Sequence, residues 1–127
     1  MINKETETFI FVADKLRKNF NGIYVIGAEL TSTPPQFPAV SIVQTNNAIN
    51  ESYSTFGSLE NVAKEDYKVE VCSNLEQGKE AQAMEITTVI SDAMSELGYA
   101  RVFCEPIVNA DSTVHRRMSR YRKNNVI

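Results

Sequence analysis

Apolar residues along this chain fall into two helical stripes separated by short alternating runs. Phe9, Val12, Ala13, Leu16 and Phe20 recur every three or four positions, which predicts a helix over residues 2–19 that buries one face. Glu5 and Glu7 sit early in it and Lys15, Arg17 and Lys18 late, each favourable to the helix dipole, and Asn21-Gly22 ends it. Ile23–Ile26 and Ala39–Thr45 are β-branched runs that predict strands. Between them, TSTPPQFP carries three prolines without ladder N–H groups, so a rigid connecting loop is expected, with an extended proline ligand as the alternative.

The second half alternates more cleanly. In Asp66–Ser73, Tyr67, Val69 and Val71 share one face while Lys68, Glu70 and Cys72 share the other, the pattern of a half-buried strand. A helix over residues 77–97 would bury Ala83, Ile86, Val89, Ile90, Ala93, Met94 and Leu97, with Gly98 just past its end. Tyr99–Val108 and Val114–Arg122 predict two last strands joined by a turn over residues 109–112. Residues 46–60 are polar and turn-rich, either a long loop or a projecting hairpin that extends the flanking strands. Its large aromatics, Tyr53 and Phe56, would fold back as a lid on the core or stand out as anchors for a partner. The expected fold is α+β, in the order α-β-β-β-α-β-β: a mainly antiparallel sheet with two helices packed on one face, as a single domain over residues 1–127.

A length of 127 residues suits one core, and a 43% hydrophobic composition argues against disorder. The longest apolar run, Ile23–Ala28, falls far short of the roughly 20 residues a membrane span needs, so no membrane association is expected. The opening MINKETETF has no apolar core of a secretion signal, and Cys72 and Cys104 lie far apart. Two reduced thiols in a cytosol-made protein are the expectation. Charge is distributed unevenly. Residues 1–110 hold eight Lys/Arg against fifteen Asp/Glu (−7), while residues 111–127 hold five against one (+4). An acidic body with one basic end favours association with something acidic, and copies of the same chain qualify.

Catalytic chemistry finds little support. His115 is the sole histidine, and no nucleophile has a base and an orienting group in a recognisable pattern. Cys72 and Cys104 sit inside strand patterns, where a thiol is small core filler, and they lack the pair spacing of a zinc site. Adjacent Glu65 and Asp66 point to opposite faces of a strand, so they cannot share a site and are expected on a solvated strand edge. The five glycines are scattered and form no phosphate-binding loop. Neither an enzyme activity nor a cofactor is expected.

The strongest remaining signal is HRRMSRYRK. Alternation puts Arg116, Met118, Arg120 and Arg122 on one side, and His115, Arg117, Ser119, Tyr121 and Lys123 on the other, so neither face is plainly apolar. Three readings fit: a charged edge strand that discourages stray pairing, a protein contact in which arginine serves as anchor, or a nucleic-acid surface.

The pieces DYKVEVCSNLEQGKEA, DAMSELGYARV, EPIVNADSTVHR and RYR, in this order, resemble the tail terminators of tailed bacteriophages, the small neck subunits that cap the tail tube. Head–tail connector and tail-completion subunits share the layout. The resemblance implies a structural virion protein without turnover, made in the host bacterial cytoplasm. It would form a hexameric ring with copies of itself on the last ring of tail-tube protein, meet the head–tail connector, and let genomic DNA pass through its lumen. A channel lined by His115–Lys123 in six copies would place about thirty positive charges around sliding DNA and retard it. The subunit seam is therefore the expected place for Arg116, Arg117, Arg120 and Arg122, against carboxylates of a neighbour. Tyr53 and Phe56 are further candidate partner contacts.

Overall fold

The computed structural model describes residues 5–30, 34–49, 62–107 and 113–126. In chain order the elements are α1 (Glu5–Asn19), β1 (Tyr24–Ile26), β2 (Ala39–Ile49), β3 (Val62–Ser73), α2 (Lys79–Glu96), β4 (Ala100–Ile107) and β5 (His115–Val126). They build the expected α+β fold. The five strands form one sheet in the order β1-β2-β3-β5-β4, antiparallel throughout except that β1 runs parallel to β2.

The stripes read from the sequence explain which face each element buries. On α2, Ala83, Ile86, Ile90, Ala93 and Met94 are buried against the sheet and α1. Val12 and Leu16 of α1 close the same core from above, and Val40, Ile42, Tyr67, Val69, Val71 and Tyr121 supply its floor. Tyr67 meets the ring of Tyr99 edge to face at 5.3 Å, an arrangement that adds electrostatic preference to burial. The end of α2 follows from Gly98, whose φ of 90° an L side chain resists. There Gly98 N–H donates to Ser95 O and Tyr99 N–H to Met94 O, both at 2.9 Å. These bonds form the glycine-terminated helix stop expected at this point.

The structure decides between the two readings of the polar segment and corrects two other expectations. First, β2 runs to Ile49 and β3 begins at Val62, so the flanks of the polar segment are paired strand: Asn47 opposes Glu65 and Ile49 opposes Ala63. The hairpin alternative is the one realised in the described part; Tyr53 and Phe56 lie outside the described residues. Second, β5 is not an edge strand. It pairs along its whole length with β3 on one side and with β4 on the other. Third, Glu65 is fully buried and does not lie on a solvated strand edge.

One side of the sheet carries both helices. The other side is crossed over β2 and β3 by the return from β1: Ser41 Oγ donates to Ala28 O at 2.6 Å, and Lys68 Nζ donates to Glu29 Oε1. Among the described residues, no element crosses that side over β5 and β4. Among the described residues, no helix is long and apolar enough to cross a membrane.

Candidate interaction face on the helix-free side of the sheet

The register between β3 and β5 decides where the arginines go. Arg122 opposes Asp66, Arg120 opposes Lys68, Met118 opposes Glu70, and Arg116 opposes Cys72, all with side chains on the helix-free side. Arg122 Nε donates to Asp66 Oδ1 at 2.7 Å. Arg116 donates through Nη2 to Glu70 Oε2 at 2.5 Å, and Lys68 Nζ lies 3.6 Å from the other Glu70 oxygen. Charge-assisted bonds of this kind hold both guanidiniums above their ordinary range. The Glu70 hydrogen bond is the main cause for Arg116, and the Asp66 hydrogen bond is for Arg122. A strand this basic can sit inside a sheet because its neighbour brings the matching carboxylates.

Arg120 has a different environment. Its guanidinium lies over the ring of Phe103 on β4, 5.9 Å from the centroid. Met118 beside it is half-buried, and Val102, displaced by the bulge between Arg101 and Phe103, is 52% exposed. Arg117 belongs to the helix side of β5, where its Nε donates to Cys104 Sγ at 3.3 Å. The sequence candidates therefore separate. Arg116, Arg120 and Arg122 share one face; Arg117 lies on the other.

Ser119 and Tyr121 are the compact residues that turn the helix side of β5 into core; Tyr121 Oη is 2.8 Å from Ser91 Oγ on α2. Burial pushes the phenols of Tyr99 and Tyr121 and the thiol of Cys72 up.

Sequence reasoning missed a polar group inside this core. Tyr99 Oη donates to Glu65 Oε2 at 3.0 Å and Gln44 Nε2 to Glu65 Oε1 at 3.1 Å. Above Tyr99 opens a cleft of about 250 Å³ lined by Glu7, Thr8, Phe11, Leu97, Tyr99 and Lys123. Lys123 Nζ closes it from one side, donating to Leu97 O at 2.5 Å at the end of α2. Gln44, Glu65, Tyr99 and Lys123 are engaged in holding elements together, and their bonds tie β2 to β3, β3 to the residue before β4, and β5 to the α2 terminus. Among the described residues, no three His, Cys, Asp or Glu side chains come together as a metal site.

Chemically, the helix-free side of β5 and β4 offers arginine, methionine and phenylalanine on rigid strands, the residue types enriched where proteins bind each other. No family model matches the chain, and no curated protein matches it. Among solved structures, the gp17 protein of bacteriophage SPP1 is similar at 16% sequence identity, with a TM-score of 0.39, over 97% of this chain and 93% of that one.

Proposed function

We propose that this chain is a structural subunit of a tailed-phage neck. It caps the tail tube as a closed ring and forms the joining surface toward the head, acting by stoichiometric assembly. The observation that carries the proposal is the position of the four sequence pieces that resemble tail terminators. DYKVEVCSNLEQGKEA covers β3 and enters α2, DAMSELGYARV leaves α2 into β4, EPIVNADSTVHR joins β4 to β5, and RYR lies in β5. These elements are neighbours in space, β3-β5-β4 under α2, so the resemblance falls on one contiguous unit.

The architecture supports an assembly role. A thin layer with helices on one side and an uncovered sheet on the other presents two dissimilar surfaces. Head-to-tail repetition of dissimilar surfaces closes into a ring when the rotation permits. The partners are further copies of the chain, the tail-tube protein on one side and the head–tail connector on the other, with genomic DNA passing through the lumen. The experiment is electron microscopy of the purified chain mixed with uncapped tail tubes. Ring-shaped density at one tube end, with tube growth halted, is the expected result. Bare tube ends, or protein decorating the tube sides, would overturn the proposal.

A further inference from the structure

We infer that the seam between copies joins the open sheet face of one subunit to the outer face of α2 in the next, with Arg120 of one copy against Glu85 and Asp92 of its neighbour. This rests on the ring proposed above and names the surfaces that build it.

On the sheet side, Arg116 and Arg122 already have carboxylates of their own chain, whereas the recorded contact of Arg120 is the ring of Phe103. A guanidinium held on an aromatic plane keeps its N–H groups free to reach a partner's carboxylate. Met118 flanks it on β5, and Val102, next to Phe103 in the bulge of β4, is 52% exposed; among the described residues no element crosses this side over β5 and β4.

On the helix side, α2 turns Met84, Glu85, Thr88 and Asp92 to solvent, a stripe opposite its buried residues Ile86, Ile90 and Ala93. Met84 is 45% exposed. Glu96, at the end of the stripe, pairs with Lys15, and Glu80 at its start lies beside Lys79. Glu85 and Asp92, seven residues apart and so on one line of the helix, have no cation within ion-pair distance among the described residues. Among the described residues, each side of the subunit thus carries charge without an ion-pair partner, of opposite sign, beside an exposed apolar side chain.

The two surfaces lie on opposite sides of the same layer, so a copy cannot satisfy both with one partner. The contact is head-to-tail, and it covers the sheet on its second side with a helix, as sheets buried on both faces require.

Two variants of the full chain test the seam. Arg120→Glu sets like charges across it, and so does the pair Glu85→Arg and Asp92→Arg. Both lie at surface positions, and circular dichroism and thermal unfolding confirm that each variant folds. Sedimentation at rising concentration is expected to show self-association weakened about a hundredfold in either variant alone. A one-to-one mixture regains it, because every interface then sets opposite charges together. Variants that associate like the native chain, or a mixture that stays dissociated, would overturn the seam while leaving tube capping by the native chain intact. A native chain that neither self-associates nor caps tubes would sink the ring reading and this seam with it.

Discussion

Asp66 and Arg122 stand opposite each other on β3 and β5, with Arg122 Nε 2.7 Å from Asp66 Oδ1 and Arg122 Nη2 3.5 Å from Asp66 Oδ2. The contact joins an acidic position in the body of the sequence to the basic end, 56 residues away. Together with Arg116 and Glu70 it closes much of the charge asymmetry within the chain, along one strand pair. The basic strand is to that extent internal architecture; among the described residues Arg117, Arg120 and Lys123 have no carboxylate partner, and Lys123 donates instead to Leu97 O.

Duplex DNA would therefore find few free cations here. With one phosphate contact, from Arg120 on the helix-free side, the logarithm of any binding constant should fall with the logarithm of salt at a slope near −0.9; five contacts would give about −4.5. Mobility shifts at two salt concentrations separate these outcomes. The steeper slope would restore β5 as a nucleic-acid surface.

Removing the Tyr99 hydroxyl tests the buried carboxylate. Tyr99→Phe takes one of two recorded donors from Glu65, which is fully buried, and should lower unfolding stability by about 1–3 kcal/mol. Tyr121→Phe removes only a hydroxyl–hydroxyl bond to Ser91 and should cost about 1 kcal/mol or less. Urea titrations with unchanged m-values would make this comparison, and equal losses in the two variants would show that Glu65 draws little from Tyr99.

The elements of the fold were legible because periodicity writes them directly: α1, α2 and the alternating core of β3 follow from the spacing of Val12, Leu16, Ile86, Ile90, Tyr67 and Val69. The strand order was not. Arginines on β5 suggested an edge, since sequence alone hides that Asp66 and Glu70 sit within reach on the neighbouring strand. Glu65 was misread for a simpler reason. The alternation of Tyr67, Val69 and Val71, extended two residues back, puts position 65 inward, and a buried carboxylate is stable there only with hydrogen-bond donors that a local pattern does not show. Gln44 and Tyr99 supply its hydrogen bonds from 21 and 34 residues away, a distance no local pattern spans. The sequence leaves loop and hairpin open for residues 46–60 because polar residues suit either; the flanks pair because the start of β3 finds ladder partners on both β2 and β5.

Alkaline pH should destabilise the chain. Burial raises the folded-state phenols of Tyr99 and Tyr121 above the unfolded value of about 10. Their contribution is fully present below that value and is lost as pH climbs above it, because the unfolded state releases protons that the folded state retains. With both groups acting, unfolding free energy should fall by up to about 2.7 kcal/mol per pH unit above pH 10. Absorbance titration of the folded protein should show Tyr99 and Tyr121 ionising late, and denaturant unfolding between pH 9 and 11 should show the loss. A flat profile across that range would contradict the burial of these hydroxyls.

The two thiols should differ sharply in reactivity. Cys72 is 3% exposed on β3, beside Arg116 and Glu70, and burial pushes its thiol up against the weaker opposing pull of Arg116. Cys104 is half-buried on the edge strand β4, its sulfur in contact with the Arg117 guanidinium. A disulfide-exchange reagent should therefore modify one thiol per native chain quickly and the other at least about a hundredfold more slowly, since Cys72 must wait for an opening of the sheet. Both react together in denaturant. Cys104→Ser should abolish the fast phase and Cys72→Ser should preserve it; the reverse pattern would mean that Cys72 is not shielded within the sheet beside Arg116 and Glu70.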